Sequence, residues 1–243
     1  MITSWPRLFL RSLAVGGWRQ TLRKIPEFLG RQRSLRRFDR RYNTRTSDVR
    51  PIDLEEVIGG DARHSSTHMP TPQEHFDRMI ASVPGSPEEL VFVDVGSGMG
   101  RVVLYASTLG FKRVIGVEFS RRLHEVAVRN VQVFRRAHPE MLPVELVCAD
   151  ALTLELPRQD TLLYFHQPFD RETFERFMEH LARSLEAAPR SVLLVYYEPR
   201  HETAIQESGL VELLVARGEP GDPSGAWRIW RTLPAVERRP PKA

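Results

Sequence analysis

Along this 243-residue chain, short apolar runs alternate with longer stretches of helical apolar spacing from about residue 90 to residue 230. Residues 90–93 are an unbroken apolar run, the length and composition of a buried strand. Asp94 stands near its end. Glycines follow at 96, 98 and 100, and apolar positions resume at once with helical spacing at Val102, Val103, Leu104 and Ala106. That helix is predicted to reach Leu109, with Gly110 as its C-cap. Residues 113–118 predict a second strand. Ser120 then caps a long helix that lines up Leu123, Val126, Ala127, Asn130, Val131 and Phe134 on one face. Residues 144–149 predict a third strand and 161–165 a fourth. A helix over 171–186 buries Phe174, Phe177, Met178, Leu181 and Leu185. Residues 191–197 predict a fifth strand, and 210–215 with 226–230 a final hairpin. The alternating apolar positions of the last strand suit an exposed sheet edge. This order predicts an α/β fold with a doubly wound sheet and a terminal antiparallel hairpin.

Ahead of that core, Phe76, Met79, Ile80 and Val83 give residues 73–83 a helical pattern, closed by Pro84 to Pro87. Residues 51–58 predict a short helix or turn ended by Gly59-Gly60, and residues 61–68 a polar linker. Residues 1–50 read as helical fragments broken at Pro6, Gly16-Gly17, Pro26 and Gly30. The organisation expected is a basic extension (1–50), a helical lead-in and closing segment (51–89), a core (90–233) and a disordered, proline-rich basic tail (234–243). There is no internal repeat.

Charge changes the picture of the N-terminus. Residues 1–50 carry 13 Lys/Arg against 3 Asp/Glu, a net of +10, while the remainder carries 22 against 28, a net of −6. The pI of 9.6 therefore describes the extension rather than the core. Its densest part is Arg31, Arg33, Arg36, Arg37, Arg40 and Arg41. Two readings stay open: a solvated helical extension, or an arm for an anionic surface, nucleic acid or membrane. The first apolar stretch, 8–15, is interrupted by Arg11 and too short for a secretion signal. No apolar run spans a bilayer. The expected location is the cytoplasm, peripheral to the membrane if the arm binds it. The one cysteine, Cys148, excludes an internal disulfide and is expected to be a small buried hydrophobe.

The glycine turn carries the candidate chemistry. Glycines between a strand and a helix permit tight backbone turns and close approach of a ligand. The dinucleotide fingerprint G-x-G-x-x-G/A requires a small residue at position 101, where this chain has Arg101. The pattern present, D-x-G-x-G-x-G from Asp94 to Gly100, resembles motif I of the class I S-adenosylmethionine-dependent methyltransferases. Glu118 ends the second strand, where doubly wound sheets bind ribose hydroxyls. Asp150-Ala151 ends the third and His166-Gln167-Pro168-Phe169 the fourth. Together with Phe38-Asp-Arg-Arg-Tyr42, Gly116-Val-Glu-Phe-Ser120 and the 70–72 element, these segments resemble a group of bacterial class I methyltransferases of unassigned substrate, from about residue 38 to 215. Members of that group often carry Lys where this chain has Met99.

The resemblance implies a seven-stranded Rossmann-like methyltransferase fold and S-adenosylmethionine as cofactor. Asp94, Gly96, Ser97, Gly98 and Gly100 would hold its amino-acid end. Glu118 and Phe119 would hold the ribose side, and Asp150 and Ala151 the adenine. Thr71, in a Pro-Thr-Pro element similar to one in the lysine methyltransferases that lack a SET domain, would close over the cofactor. Amino-methylating relatives carry Asn/Asp-Pro-Pro-Tyr/Phe after the fourth strand. Gln167 then stands as the acceptor of the substrate N–H and Phe169 as the aromatic platform, or the segment is an ordinary strand-to-helix loop. His166 is either a base or a locally bonded loop residue. The function expected is N-methylation of an amine, on a protein side chain or a small molecule. The alternative is a catalytically silent module held to nucleic acid or membrane by the arm. His64, His68 and His75 match no common zinc spacing.

Overall fold

The computed structural model describes residues 30, 32–48, 69–219 and 225–238. Seven strands form one sheet: β1 (Val91–Val95), β2 (Arg113–Glu118), β3 (Val144–Cys148), β4 (Thr161–His166), β5 (Val192–Tyr197), β6 (Val211–Arg217) and β7 (Trp227–Thr232). Their order is β3-β2-β1-β4-β5-β7-β6. The first five run parallel, and β7 lies antiparallel between β5 and β6. The strand order reverses between β1 and β4. At such a switch point the connections diverge and leave a crevice beyond the strands' carboxyl ends.

The two-residue period of each strand sorts side chains between two apolar layers. Phe92, Val114, Leu162, Tyr164 and Val195 face α1 (residues 32–42), α2 (Gln73–Ile80), α3 (Arg101–Ala106) and α4 (Arg121–Ala137). Val91, Val93, Leu163, Phe165 and Leu194 face α5 (Arg171–Ala187) and α6 (Glu202–Glu207). The caps follow side-chain chemistry. Ser120 Oγ accepts from the Leu123 N–H and starts α4, and Asp170 Oδ1 accepts from the Thr173 N–H and starts α5.

Several expectations are corrected. β7 is an interior strand, buried at five of its six positions, and β6 is the edge. Trp227, Ile229 and Trp230 divide between the two layers, so this strand is apolar on both faces. Helix α3 stops at Ala106 rather than near Leu109, because Ser107 and Thr108 hydroxyls donate to the Leu104 and Tyr105 carbonyls. Helix α2 stops at Ile80. Cys148 is half-buried, since β3 is the other sheet edge. The basic extension is not separate throughout: Leu35, Phe38, Thr44 and Thr46 are buried on the core, with Phe38 edge-on to Tyr105. The expected tail begins with an ordered turn at residues 235–237. The readings of residues 51–58 and 61–68, of Arg31, and of most of the extension lie outside the described residues.

Candidate active site

Asp94, Gly116 and Tyr164 lie side by side in register on three adjacent parallel strands. The Asp94 and Tyr164 side chains point toward the α3 layer, and a Cβ at Gly116 would collide with Val103 of that helix. An open cleft of about 550 Å³ begins above them, lined by Asp94, Gly96, Ser97, Glu118, Phe119, Thr71, His166 and Gln167 among others. Eight of the residues singled out by sequence thus meet on one cleft.

Glu118 organises its rim. Its Oε2 accepts from the Gly98 N–H and its Oε1 from the Ser120 N–H, both at 2.8 Å. Burial pushes its carboxyl up to about 7, against the opposing effect of the Ser120, Gly98 and Phe119 N–H groups. Asp94, 3% exposed, is pushed well above the carboxylate range, by burial first and then by the Glu118 charge. No hydrogen bond reaches the Asp94 carboxyl from the described residues. A buried acid without a hydrogen bond, beside a second buried acid, makes a site that favours a cationic ligand.

The glycine turn is a fixed wall. Gly96, Gly98 and Gly100 all have positive φ. The Gly96 and Ser97 N–H groups both donate to the Val117 carbonyl, Gly98 to Glu118, and Gly100 to the Ser97 carbonyl. These amides close the turn on β2, so they do not form an open nest for a ligand.

At the end of β4, the Thr71 hydroxyl lies 2.8 Å from the Tyr164 hydroxyl and 3.0 Å from His166 Nδ1. This anchors the 69–72 segment over the cleft, and the His166 ring meets Tyr197 edge-on. Gln167 is 5% exposed with φ of 51°, and its amide nitrogen donates to the Glu198 carbonyl at 3.1 Å. Glu198, at the end of β5, also has positive φ. Non-glycine residues in this conformation cost about 1–3 kcal/mol each and concentrate at functional sites. Phe169 is placed elsewhere: its ring packs on Phe174 and Phe177 of α5, away from the cleft lining. Asp150 turns one oxygen to the Leu152 N–H, capping its own turn past β3, and Ala151 is buried in the α5 layer. His75, from the histidine group, has Nδ1 2.7 Å from the Tyr197 hydroxyl.

Sequence reasoning missed three residues that build this site. Arg101, 3% exposed at the start of α3, lines the cleft. Its Nη1 donates to the Tyr105 hydroxyl and its Nη2 to the Leu35 carbonyl, both at 2.9 Å, and Nη2 lies 3.3 Å from Asp39 Oδ1. Asp39 also accepts from the Thr46 and Ser47 N–H groups. Buried Asn130 accepts from the Arg45 N–H and donates to the Arg45 and Met99 carbonyls, tying the 44–46 segment to the glycine turn. The available signal was polarity out of place: Asn130 on the apolar face of a helix, and a cation at a helix N-terminus, where the dipole disfavours it.

Residues 92–188 match the methyltransferase domain family. No curated protein matches significantly. Among solved structures, the chain is similar to an RNA methyltransferase from Salinibacter ruber in complex with S-adenosyl-L-homocysteine, at 20% identity, over 70% of this chain and 100% of that one, with a TM-score of 0.47. It is similar to a SAM-dependent methyltransferase from Aquifex aeolicus at 13% identity, over 66% and 90% of the two chains, with a TM-score of 0.47. It is also similar to magnesium protoporphyrin IX methyltransferase from Synechocystis PCC 6803 with bound SAM, at 16% identity, over 65% and 75%, with a TM-score of 0.45.

Proposed function

From a chain whose residues 92–188 form a class I, S-adenosylmethionine-dependent methyltransferase domain, we propose an N-methyltransferase that acts on an amine, with a protein side chain as the favoured acceptor. The cleft fits this cofactor: Asp94 is a buried carboxyl with no hydrogen bond from the described residues, as the cofactor's ammonium requires. In this reading Asp94 takes the amino group and Glu118 the ribose hydroxyls, using lone pairs beyond those given to Gly98 and Ser120. Phe119, on the cleft lining, borders the adenine, whereas Asp150 and Ala151, expected there from the sequence, lie off that lining. When bound, the cofactor supplies an electrophilic methyl group on a sulfonium.

What remains is to present a nitrogen lone pair to that methyl in line and away from water, and positioning can supply much of the rate. The observation that carries the amine reading is Gln167, buried on the same cleft as Asp94 and held by a bond from its amide nitrogen to Glu198. That bond makes the carboxamide oxygen its acceptor face. An uncharged acceptor suits a neutral amine, because a carboxylate would favour the protonated amine, which has no lone pair. His166, fixed by Thr71 on the same rim, is placed to take the proton that the nitrogen sheds.

A specific observation favours an anionic partner as well. Arg33, Arg36, Arg37, Arg40 and Arg41 are exposed along α1, while Leu35 and Phe38 hold that helix to the core. This face would bring nucleic acid or an anionic membrane to the cleft of a cytoplasmic enzyme, or serve alone in a silent module. One experiment addresses the main reading: incubation with methyl-labelled cofactor and a lysate of the host, followed by mass spectrometry of the labelled product. Label on an amine nitrogen of a protein is expected. Label on carbon or oxygen overturns the amine reading, and no transfer to any acceptor favours the silent module.

A further inference from the structure

A second recess, of about 200 Å³, borders the cofactor cleft: Leu123 lines both, and Met99 of the glycine turn lines the recess. Among the described residues, its lining sets three arginines, Arg45, Arg122 and Arg129, against one acid, Asp48. Two elements supply them. Arg122 and Arg129 stand seven residues apart on α4, a spacing that returns to nearly the same helix face. Arg136 continues the stripe, and all three of these arginines are exposed, while Leu123, Ala127, Asn130 and Phe134 are buried on the core face. The other wall is the segment after α1, which runs back along α4. Tyr42 meets Phe134 and His138, with Arg41 over its ring at 5.2 Å. The Arg45 N–H donates to Asn130 Oδ1 at 2.8 Å, and its carbonyl accepts from Asn130 Nδ2 at 3.0 Å. The Arg45 backbone is thus clamped while its side chain stays 73% exposed. Asp48 pairs with it at 3.2 Å, but a pair this exposed contributes little and leaves the recess cationic. The acid of α4, Glu125, lies off the lining and acts on the Cys148 thiol of β3.

Resting on the anionic-partner reading above and narrowing it, we propose that this recess and the α4 stripe bind the phosphate backbone of a nucleic acid. Guanidinium forks match phosphate oxygens bidentately. Charges that recur along about 21 Å of helix suit a ligand whose own charges recur along its length. A bilayer surface would need apolar side chains to bury at the interface. The large exposed apolar residues among the described ones are Leu109, Leu213 and Val236, and none of them stands on α1, on residues 43–48 or on α4. Because Leu123 borders both the recess and the cleft, a strand seated on the stripe ends beside the cofactor. The contact that holds the strand also sets its distance from the site of methyl transfer.

Fluorescence anisotropy on the full chain, with a short labelled single-stranded RNA over a range of salt concentrations, tests this. Phosphatidylserine vesicles and a polyglutamate peptide serve as the other anionic probes. The wild-type chain is expected to bind the RNA with an affinity that falls as salt rises. Combining Arg122→Gln, Arg129→Gln and Arg136→Gln is expected to lower that affinity about 10- to 100-fold and the salt slope by about 2, three contacts at about 0.7 each on a single strand. Adding Arg45→Gln should lower both further. S-adenosylhomocysteine affinity should stay unchanged, which shows that α4 still folds. RNA affinity and slope that survive in the triple variant overturn the inference, and so does a wild-type chain that holds the vesicles or the peptide and not the RNA. If Arg33→Gln, Arg36→Gln and Arg37→Gln together abolish RNA binding while the α4 variant keeps it, the partner reading of α1 stands and this site alone falls. If the wild-type chain binds none of the probes at low salt, both fall.

Discussion

Gly96 passes so closely under Pro168 that a Cβ built on the glycine would stand 2.8 Å from the proline Cβ. The first turn of the cleft and the loop after β4 are therefore packed backbone against ring. The ligand is not what makes Gly96 obligatory; the far wall of the cleft is.

Gly96→Ala must both crowd Pro168 and hold a φ of 79°. The left-handed conformation costs about 1–2 kcal/mol and overpacking against a rigid ring about 1–3. The variant is expected to lose about 2–4 kcal/mol in denaturant titration and to weaken S-adenosylhomocysteine binding. Wild-type stability in Gly96→Ala would show that the β4 loop moves freely from the turn.

The pH dependence of stability follows from Glu118. Its folded carboxyl is raised from 4.5 to about 7, chiefly by burial. The folded state therefore keeps a proton that the unfolded chain has released between those values, so stability falls as pH rises through that window. The difference corresponds to about 3 kcal/mol. Asp94 is shifted in the same direction by burial and by Glu118. The Tm of the cofactor-free protein is expected to fall from about pH 5 to about pH 8, and Glu118→Gln to flatten that slope. A wild-type Tm that climbs over the same range contradicts the assignment. A cation bound against Asp94 draws off the same protons, so S-adenosylhomocysteine is expected to bind more tightly as pH rises.

For Gln167 the side-chain and backbone contributions can be separated. Gln167→Ala is expected to slow methyl transfer about 10- to 1000-fold, or about 1.4–4 kcal/mol of transition-state stabilisation. Cofactor affinity should stay nearly constant. Gln167→Gly removes the same side chain and also relieves the left-handed backbone at φ of 51°. Equal losses in both variants assign the effect to the carboxamide. Full turnover in Gln167→Gly reduces Gln167 to a turn residue.

The arginine face of α1 is tested by replacing Arg33, Arg36, Arg37, Arg40 and Arg41 with Gln, which leaves Leu35, Phe38 and Asp39 to dock the helix. Salt-sensitive retention on RNA or on anionic vesicles is expected for the wild-type chain. It should drop in this variant, because a surface that neutralises fewer phosphates releases fewer counterions and responds less steeply to salt. A truncation is less clean. Removing residues 1–37 would take away Leu35, which is 1% exposed, so it should stop at residue 31. Retention that is absent at low salt in the intact protein leaves α1 as a structural element with a solvated face.

The alternation of apolar runs and helical stretches was enough to read the five parallel strands, the helices between them and the terminal hairpin, because a two-residue or 3.6-residue period records which faces are buried. The strand-end residues Asp94, Glu118 and Gln167 were legible for a related reason: in a doubly wound sheet, carboxyl ends in this order must share one crevice. Periodicity says nothing of neighbours across the sheet. β7, with buried residues on both faces, reads as easily as an edge strand; only pairing with β5 on one side and β6 on the other makes it interior. Composition likewise cannot tell a solvated arginine-rich segment from one that docks along two apolar residues, as α1 does with Leu35 and Phe38. The role of Arg101 depends on Leu35 and Asp39, 66 and 62 residues away along the chain. Pairings so distant in sequence leave no local pattern, and they form only when the helix and the sheet fold against each other.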